Sequence, residues 1–440
     1  MPNANFGSVD RMNDSTLLQA SDIRMAFPKP DGGELLVLDG INLELREREI
    51  VGVLGRSGSG KSTLLRLIAG LAAPTAGHVS YLGERVVGPA RGIAMVFQSF
   101  AIFPWLTVFQ NVALGLEAQG LPRPEIRQRS LAAIDMIGLD GFESAYPREL
   151  SGGMRQRVGF ARALVVHPNI MLMDEPFSAL DVLTAETLRT DFLDLWAEGR
   201  MPIRSVVLVT HNIEEAVLMC DRIVVFGSNP GRILAEIKVT LTQPRNRLDP
   251  GFRELVERIY VEMTARPAGA VPSRGGVGLS TVLPRTSSNL LAGLLETVAA
   301  APFNGSADLP KIAHDLQMEI DDLFPVAETL QMMRFAEVGG GDIRLTEAGV
   351  AFANAGVDER KRIFARHLLT HVALAAHIRR VLDERASHVA RKSRFVDELE
   401  DFMSEEAAEQ TLSAVVTLGR YAEVFAYDDD RATFSLENPV

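Results

Sequence analysis

Residues 50–70 restrict what this chain can fold into more than any other stretch. The apolar run Ile50-Val-Gly-Val-Leu54 leads into Gly55-Arg56-Ser57-Gly58-Ser59-Gly60-Lys61-Ser62, and Lys61–Gly70 then reads as a helix. This is G-x-x-x-x-G-K-[ST] set between a strand and a helix. The glycines let the backbone curl so that successive N–H groups face phosphate oxygens. The helix N-terminus adds a partial positive charge. Lys61 is expected on the β- and γ-phosphates of a nucleotide and the Ser62 hydroxyl on Mg²⁺, with Thr63 continuing the cradle into the helix. Ile170-Met-Leu-Met173, Val206-Val-Leu-Val209 and Ile223-Val-Val-Phe226 are further continuous apolar runs. Such runs fit strands buried on both faces of a mostly parallel sheet. Helical patterns at Pro124–Gly138 and Gly153–Val166 lie between them, and Ser228-Asn-Pro-Gly231 turns one strand back toward Ile233–Val239. The alternation predicts an α/β fold.

The run Ile170–Met173 ends in Asp174-Glu175. Two acids at the tip of a buried strand are costly unless they have chemistry to perform there. Asp174 fits the acid that holds Mg²⁺ through water, and Glu175 the group that polarises an attacking water. Together with Lys61 and Ser62 they specify a P-loop NTPase.

Leu150-Ser151-Gly152-Gly153-Met-Arg-Gln-Arg157 resembles the ABC signature sequence. Other elements of that family follow in order. Gln98, in Val96-Phe-Gln-Ser99, resembles the Q-loop glutamine, Ser178-Ala-Leu-Asp181 the D-loop, and His211, in Val209-Thr-His-Asn212, the switch histidine. Phe27 is the candidate for the aromatic that stacks on adenine. The resemblance implies a RecA-like core with a helical signature subdomain, binding ATP and Mg²⁺ and hydrolysing ATP. It also implies a head-to-tail dimer, in which ATP lies between one P-loop and the Ser151–Gly153 turn of a second copy or a paralogous subunit. Glu175, His211 and Gln98 are then the expected catalytic residues. Ser62, Gln98 and Asp174 are expected at the metal, and Asp181 at the nucleotide.

Phe103, Trp105 and Leu106, within Phe-Pro-Trp-Leu-Thr-Val108, form either an apolar docking patch or part of the helical subdomain's core. The wording of that segment, with Pro147–Arg157 and Thr210-His-Asn-Ile-Glu-Glu-Ala216, resembles the nitrate/sulfonate/taurine/bicarbonate importer group. The resemblance covers residues 18–260. It implies two integral membrane permease subunits, an indirect solute-binding protein, and a peripheral place on the cytoplasmic face of the bacterial inner membrane. A soluble ABC ATPase acting on ribosomes or DNA is the alternative. The ribosome type usually has two cassettes where this chain has one, and the DNA-repair type a long coiled coil of which no heptad run is seen.

Residues 1–15 are polar and no stretch of about 18 uncharged apolar residues occurs, so neither a signal peptide nor a membrane span is expected. The single cysteine, Cys220, lies in an apolar stretch and reads as a small buried hydrophobe. Of the net charge of −12, residues 286–440 carry −11, with 15 Lys+Arg against 26 Asp+Glu. A neutral front and an acidic back predict two domains. The expected divisions are a tail 1–17, an ABC domain 18–265 ending in a helix from about Asp249, a Pro/Gly-rich linker 266–285, and a mainly α domain 286–440. The last resembles a winged helix, as three helices (Ser288–Ala299, Leu309–Leu316, Pro325–Phe335) and a hairpin (Ala336–Leu345). It also resembles the AAA-associated C-terminal domain of some nitrate/sulfonate-type ABC ATPases. Residues 359–415 read as helical and 419–428 as a strand-like tail, with no internal repeat. The winged-helix pattern would suit DNA, but the acidic charge opposes it, so no nucleic acid is expected and a regulatory or interaction module is. Arg379, Arg380, Arg391, Lys392 and Arg394 read as a solvated helix face. His367 and His371 share a helix face near His377 but lack an evident third ligand, so no metal is assigned.

Overall fold

The structure, a computed structural model, describes residues 16–28, 33–55, 58–99, 101–227, 230–264, 278, 281–316, 320–339, 341–400, 403 and 405–436. Arg56 and Ser57 of the phosphate loop, the tail up to residue 15, residues 228–229 of the hairpin turn and most of the linker 266–285 lie outside the described residues. The chain divides into two compact units, one of residues 1–26 and 36–252, the other of 27–35 and 253–440.

In the first unit, strands β1 (Thr16–Pro28), β2 (Glu34–Arg46), β4 (Ala76–Tyr81) and β5 (Glu84–Arg85) form a sheet in the order β2-β1-β4-β5. The second sheet contains β3 (Ile50–Gly55), β6 (Ile93–Val96), β7 (Ile170–Asp174), β8 (Ser205–Thr210), β9 (Arg222–Phe226) and β10 (Ile233–Lys238), in the order β10-β9-β3-β8-β7-β6. All its pairings are parallel except β9–β10, the expected terminal hairpin. Strands β3, β7 and β8 are buried at every position. That is why they read as unbroken apolar runs: both faces are covered, and alternation has no solvent side to report. Helix α1 (Lys61–Ile68) packs its leucines into the core shared by β3, β7 and β8. A helical group follows, α2 (Val108–Ala118), α3 (Arg123–Met136) and α4 (Gly152–Leu164), then α5 (Val182–Ala197) and α6 (Ile213–Met219). Pro124 lies in the first turn of α3, and Gly138, at φ 67°, ends it. Cys220 is fully buried.

Helix α7 (Pro250–Thr264) closes the expected ABC domain, but most of it groups with the second unit. The physical reason is Tyr260, fully buried and stacked on Phe324 at 4.7 Å. The end of the expected linker is likewise packed down, since Leu283 is buried and its N–H donates to Thr411 Oγ1 at 3.3 Å.

The second unit runs α8 (Ser288–Ala299), β11 (Ser306–Asp308), α9 (Leu309–Asp315), α10 (Ile320–Met332), β12 (Ala336–Gly339) and β13 (Asp342–Leu345). Helices α11 (Glu347–Asn354) and α12 (Val357–His371) follow. The remainder is α13 (Ala373–Glu384), β14 (Val389–Arg391), α14 (Lys392–Glu400), α15 (Glu405–Tyr421), β15 (Ala426–Asp428) and β16 (Thr433–Ser435). Three sequence expectations are corrected. The strands β11 and β14 interrupt what reads as loop and helix. Residues 419–421 finish α15 rather than begin a strand. Lastly, the unit does contain a repeat. The order helix–strand–helix–helix–strand–strand occurs twice, and the two small sheets share one connectivity, β11-β13-β12 and β14-β16-β15. Equivalent positions carry equivalent burial: Ala307 opposite Ile343 in one, Ala390 opposite Phe434 in the other, all buried. Both hairpins are entered by a buried Phe-Ala pair, Phe335-Ala336 and Phe425-Ala426. The repeat escapes sequence inspection because it lies in topology and in which positions face inward, with little identity beyond the Phe-Ala pair. His367 and His371 gather no metal-ligand set among the described residues. His367 instead meets the Met333 carbonyl through Nδ1 at 2.8 Å and stacks on Phe335.

Candidate active site

Four loops at the C-terminal ends of the central strands build the site. Gly58 and Gly60 hold φ 76° and 93°, a left-handed backbone that favours glycine. A Cβ on Gly60 would also lie 2.7 Å from Leu38 Cδ2. Lys61 is only 4% exposed, and its Nζ donates to the Gly55 carbonyl at 2.7 Å. Burial pulls its ammonium below the ordinary value, against the opposing charges of Glu175 and Asp174. Ser59 Oγ is buried without a hydrogen-bond partner among the described residues. A buried cation beside an orphaned hydroxyl is a site made for an anion. Thr63 follows on α1.

Strand β7 brings the two acids to this loop. Ser62 Oγ donates to Asp174 Oδ1 at 3.0 Å, so the pair expected at a metal is already in contact. Burial raises the Asp174 carboxyl, and the Ser62 hydrogen bond and Lys61 oppose the rise. A hard divalent cation suits this hydroxyl–carboxylate pair. Glu175 adopts φ 45°, a left-handed conformation costly for a residue with a Cβ. The backbone is held there by Glu175 N–H on the Val209 carbonyl at 3.0 Å and Ser178 Oγ–H on the Glu175 carbonyl at 3.0 Å. Its carboxylate lies 3.1 Å from His211 Nδ1 and 3.8 Å from Lys61 Nζ, and accepts from Gln98 Nε2 at 3.3 Å. Burial alone would raise this carboxyl. The His211 hydrogen bond and charge, with Lys61, more than offset it and hold the group below its usual value. An ionised Glu175 can only accept, so the His211 proton on this contact sits on Nδ1.

Structure therefore joins Gly55, Lys61, Ser62, Asp174, Glu175, Gln98 and His211 into one cluster. Gln98 meets Glu175 and Ser178 there, rather than the Ser62–Asp174 pair. The other candidates form a second group. Ser151 caps α4 by accepting from Met154 N–H at 3.2 Å, and Asp181 caps α5 by accepting from Thr184 N–H at 3.1 Å. A Cβ on Gly153 would come within 2.4 Å of Thr184 Cγ2, and one on Gly152 within 3.5 Å of Leu180, so the signature turn lies against the D-loop. Phe27 stands at the end of β1, 43% exposed.

The chain is 46% identical over 229 residues to an uncharacterised ABC transporter ATP-binding protein of Methanocaldococcus jannaschii, spanning 52% of this chain and 85% of that one. The chain belongs to the ABC transporter family. The family described as "ABC transporter" matches residues 38–178, and the one described as "C-terminal AAA-associated domain" matches 310–428. Other relatives of this ABC protein include the nitrate import ATP-binding protein of a Synechocystis species, 44% identical over 52% of this chain and 86% of that one. The aliphatic sulfonates import ATP-binding protein of Bacillus licheniformis is 42% identical over 51% of this chain and 86% of its own length. This ABC protein is an ATPase.

Several residues of the cassette have contacts or exposure that the sequence alone does not reveal. Gln156, fully buried in α4, donates from Nε2 to the Pro176 carbonyl at 2.6 Å and so links the signature helix to the residue after Glu175. Ser178 was legible only as part of a motif. The exposed pair Phe103 and Trp105, 40% and 69% accessible with rings 5.4 Å apart, lies on the surface rather than in a core.

Proposed function

We propose that this chain energises an importer of small anions, of the kind that carries nitrate, sulfonates, taurine or bicarbonate. The observation that carries this is the similarity to the nitrate and aliphatic sulfonate import proteins across 86% of each. No described helix is long and apolar enough to cross a membrane. The reading therefore assigns translocation to two integral permease subunits, with the chain bound peripherally at the cytoplasmic face of the inner membrane. The exposed Phe103–Trp105 pair is the surface that would receive them.

Gly55–Gly60 and Lys61 would hold the phosphates of ATP, and Phe27 its adenine. Ser62 and Asp174, with Gln98 nearby, would hold Mg²⁺, which when bound neutralises charge on the phosphates. Glu175 is the general base: a carboxylate kept ionised by His211 and Lys61 accepts the proton of water. His211 keeps the carboxylate oriented, and Gln98 and Ser178 brace it. The Ser151–Gly153 turn and Asp181 would close on the nucleotide of a partner copy or paralogue. The acidic second unit is read as regulatory, with the winged-helix-like topology serving protein contact rather than DNA.

Reconstitution of the chain with its permease subunits and solute-binding protein in vesicles tests the substrate class. ATP hydrolysis is expected to rise with nitrate, bicarbonate, taurine or an alkanesulfonate. Stimulation by a sugar or amino acid, and by none of these anions, overturns the reading.

A further inference from the structure

Among the described residues of the first unit, Lys61, Asp174, Arg189 and Glu215 are charged and buried, and the Arg245 side chain is buried beside Asp221. The first two face the nucleotide site. Arg189 and Glu215 lie behind it, 8% and 5% exposed, with Nη1 and Oε1 3.5 Å apart. Arg189 comes from α5, the helix capped by Asp181, and Glu215 from α6, just past His211.

The bonds around Glu215 form a ring. Its carboxylate hydrogen-bonds the Thr210 side chain. Thr210 Oγ1 accepts the Asn212 N–H at 3.0 Å, and Asn212 Oδ1 accepts the Glu215 N–H at 2.6 Å. His211 is the residue the ring encloses. Burial drives the Glu215 carboxyl upward, and Thr210 and Arg189 draw it back. Stability is a poor reason to bury such a pair, because well-packed apolar side chains of similar volume are often as stable or more so. An ion pair that holds one turn against another helix is a better reason, since it matches two specific groups where apolar contacts match only shape.

We propose that Arg189 and Glu215 are positioning residues for ATP hydrolysis, clamping the turn that carries His211 to the helix that begins at Asp181, so that the imidazole stays on Glu175. This rests on the reading of Glu175 and His211 as a catalytic pair.

The test is steady-state ATP turnover and nucleotide titration of the full chain carrying R189M/E215M, T210V or H211A. R189M/E215M is expected to melt near the wild-type temperature and bind nucleotide with unchanged affinity. Its kcat should fall about ten- to a hundredfold, the scale of a small misplacement of a reacting group, with KM for ATP unchanged. T210V keeps both charges but removes the hydroxyl from the ring, and should show the same split between kcat and KM. It decides the matter if the double variant does not fold. Wild-type kcat in a folded R189M/E215M and in T210V overturns the proposal while leaving the site intact, provided H211A is impaired. Wild-type kcat in H211A overturns the catalytic reading of His211 and this proposal with it.

Discussion

Glu175 combines two features that a folded chain ordinarily avoids, a left-handed backbone and a largely buried carboxylate. The backbone alone costs about 1–3 kcal/mol. Both are tolerated because Val209, Ser178, Gln98, His211 and Lys61 converge on this residue. Substitution by glutamine preserves the shape and removes the carboxylate charge. Turnover of Glu175→Gln should fall about 10²–10⁴-fold with nucleotide affinity retained, as read by single-turnover kinetics beside binding titration. Asp174 behaves in the opposite sense. Its folded-state value is raised by burial, so the fold favours the protonated form and loses that contribution as pH rises through the raised value. Asp174→Asn lacks this loss. Without nucleotide, its melting temperature should gain on the wild type as pH rises from the carboxylate range toward neutrality, while Mg²⁺-dependent ATP binding is lost. A constant gap across that range would show that the Asp174 charge does not set the pH dependence.

The loop between β6 and α2 is held by side chains, Asn111 above all. Asn111 is fully buried, accepts the Phe103 N–H at 2.8 Å and donates to the carbonyls of Phe103, Leu106 and Thr107. Together with the Thr107–Gln110 capping box it fixes an apolar loop that has no core of its own. Asn111→Ala leaves several buried polar groups unpaired and should cost about 1–3 kcal/mol in denaturant unfolding. It should also weaken permease association more than it weakens ATP turnover by the chain alone. The same principle, polar side chains closing irregular backbone, recurs in the ring around His211.

Two compact units in one chain imply two separately responsive structures. The P-loop and both acids belong to the first, and the doubled helix–strand topology to the second. Scanning calorimetry of the full chain should resolve two transitions, of which Mg²⁺ and ATP move one. At a hundred times the dissociation constant the shift corresponds to about 2.7 kcal/mol. A single transition displaced as a whole would mean that the units unfold together.

Much of the site was legible in advance because phosphate chemistry leaves little freedom in the chain. Only glycine adopts the backbone of Gly58 and Gly60 without strain, the cation must stand at the start of a helix, and strands buried on both faces must be apolar throughout. These demands are local, so Lys61, Ser62, Asp174 and Glu175 can be read from spacing, and β3, β7 and β8 from composition. Tertiary structure alone decided which distant residues meet. Arg189 reads as one polar position on a helix until folding buries it against Glu215, and Gln156 as a signature residue until its amide reaches Pro176. The repeat in the second unit and the attachment of Tyr260 to it were invisible for a related reason. Short strands such as Ser306–Asp308 and Val389–Arg391 carry too few residues to show a period, and exist because a neighbouring strand supplies their hydrogen bonds.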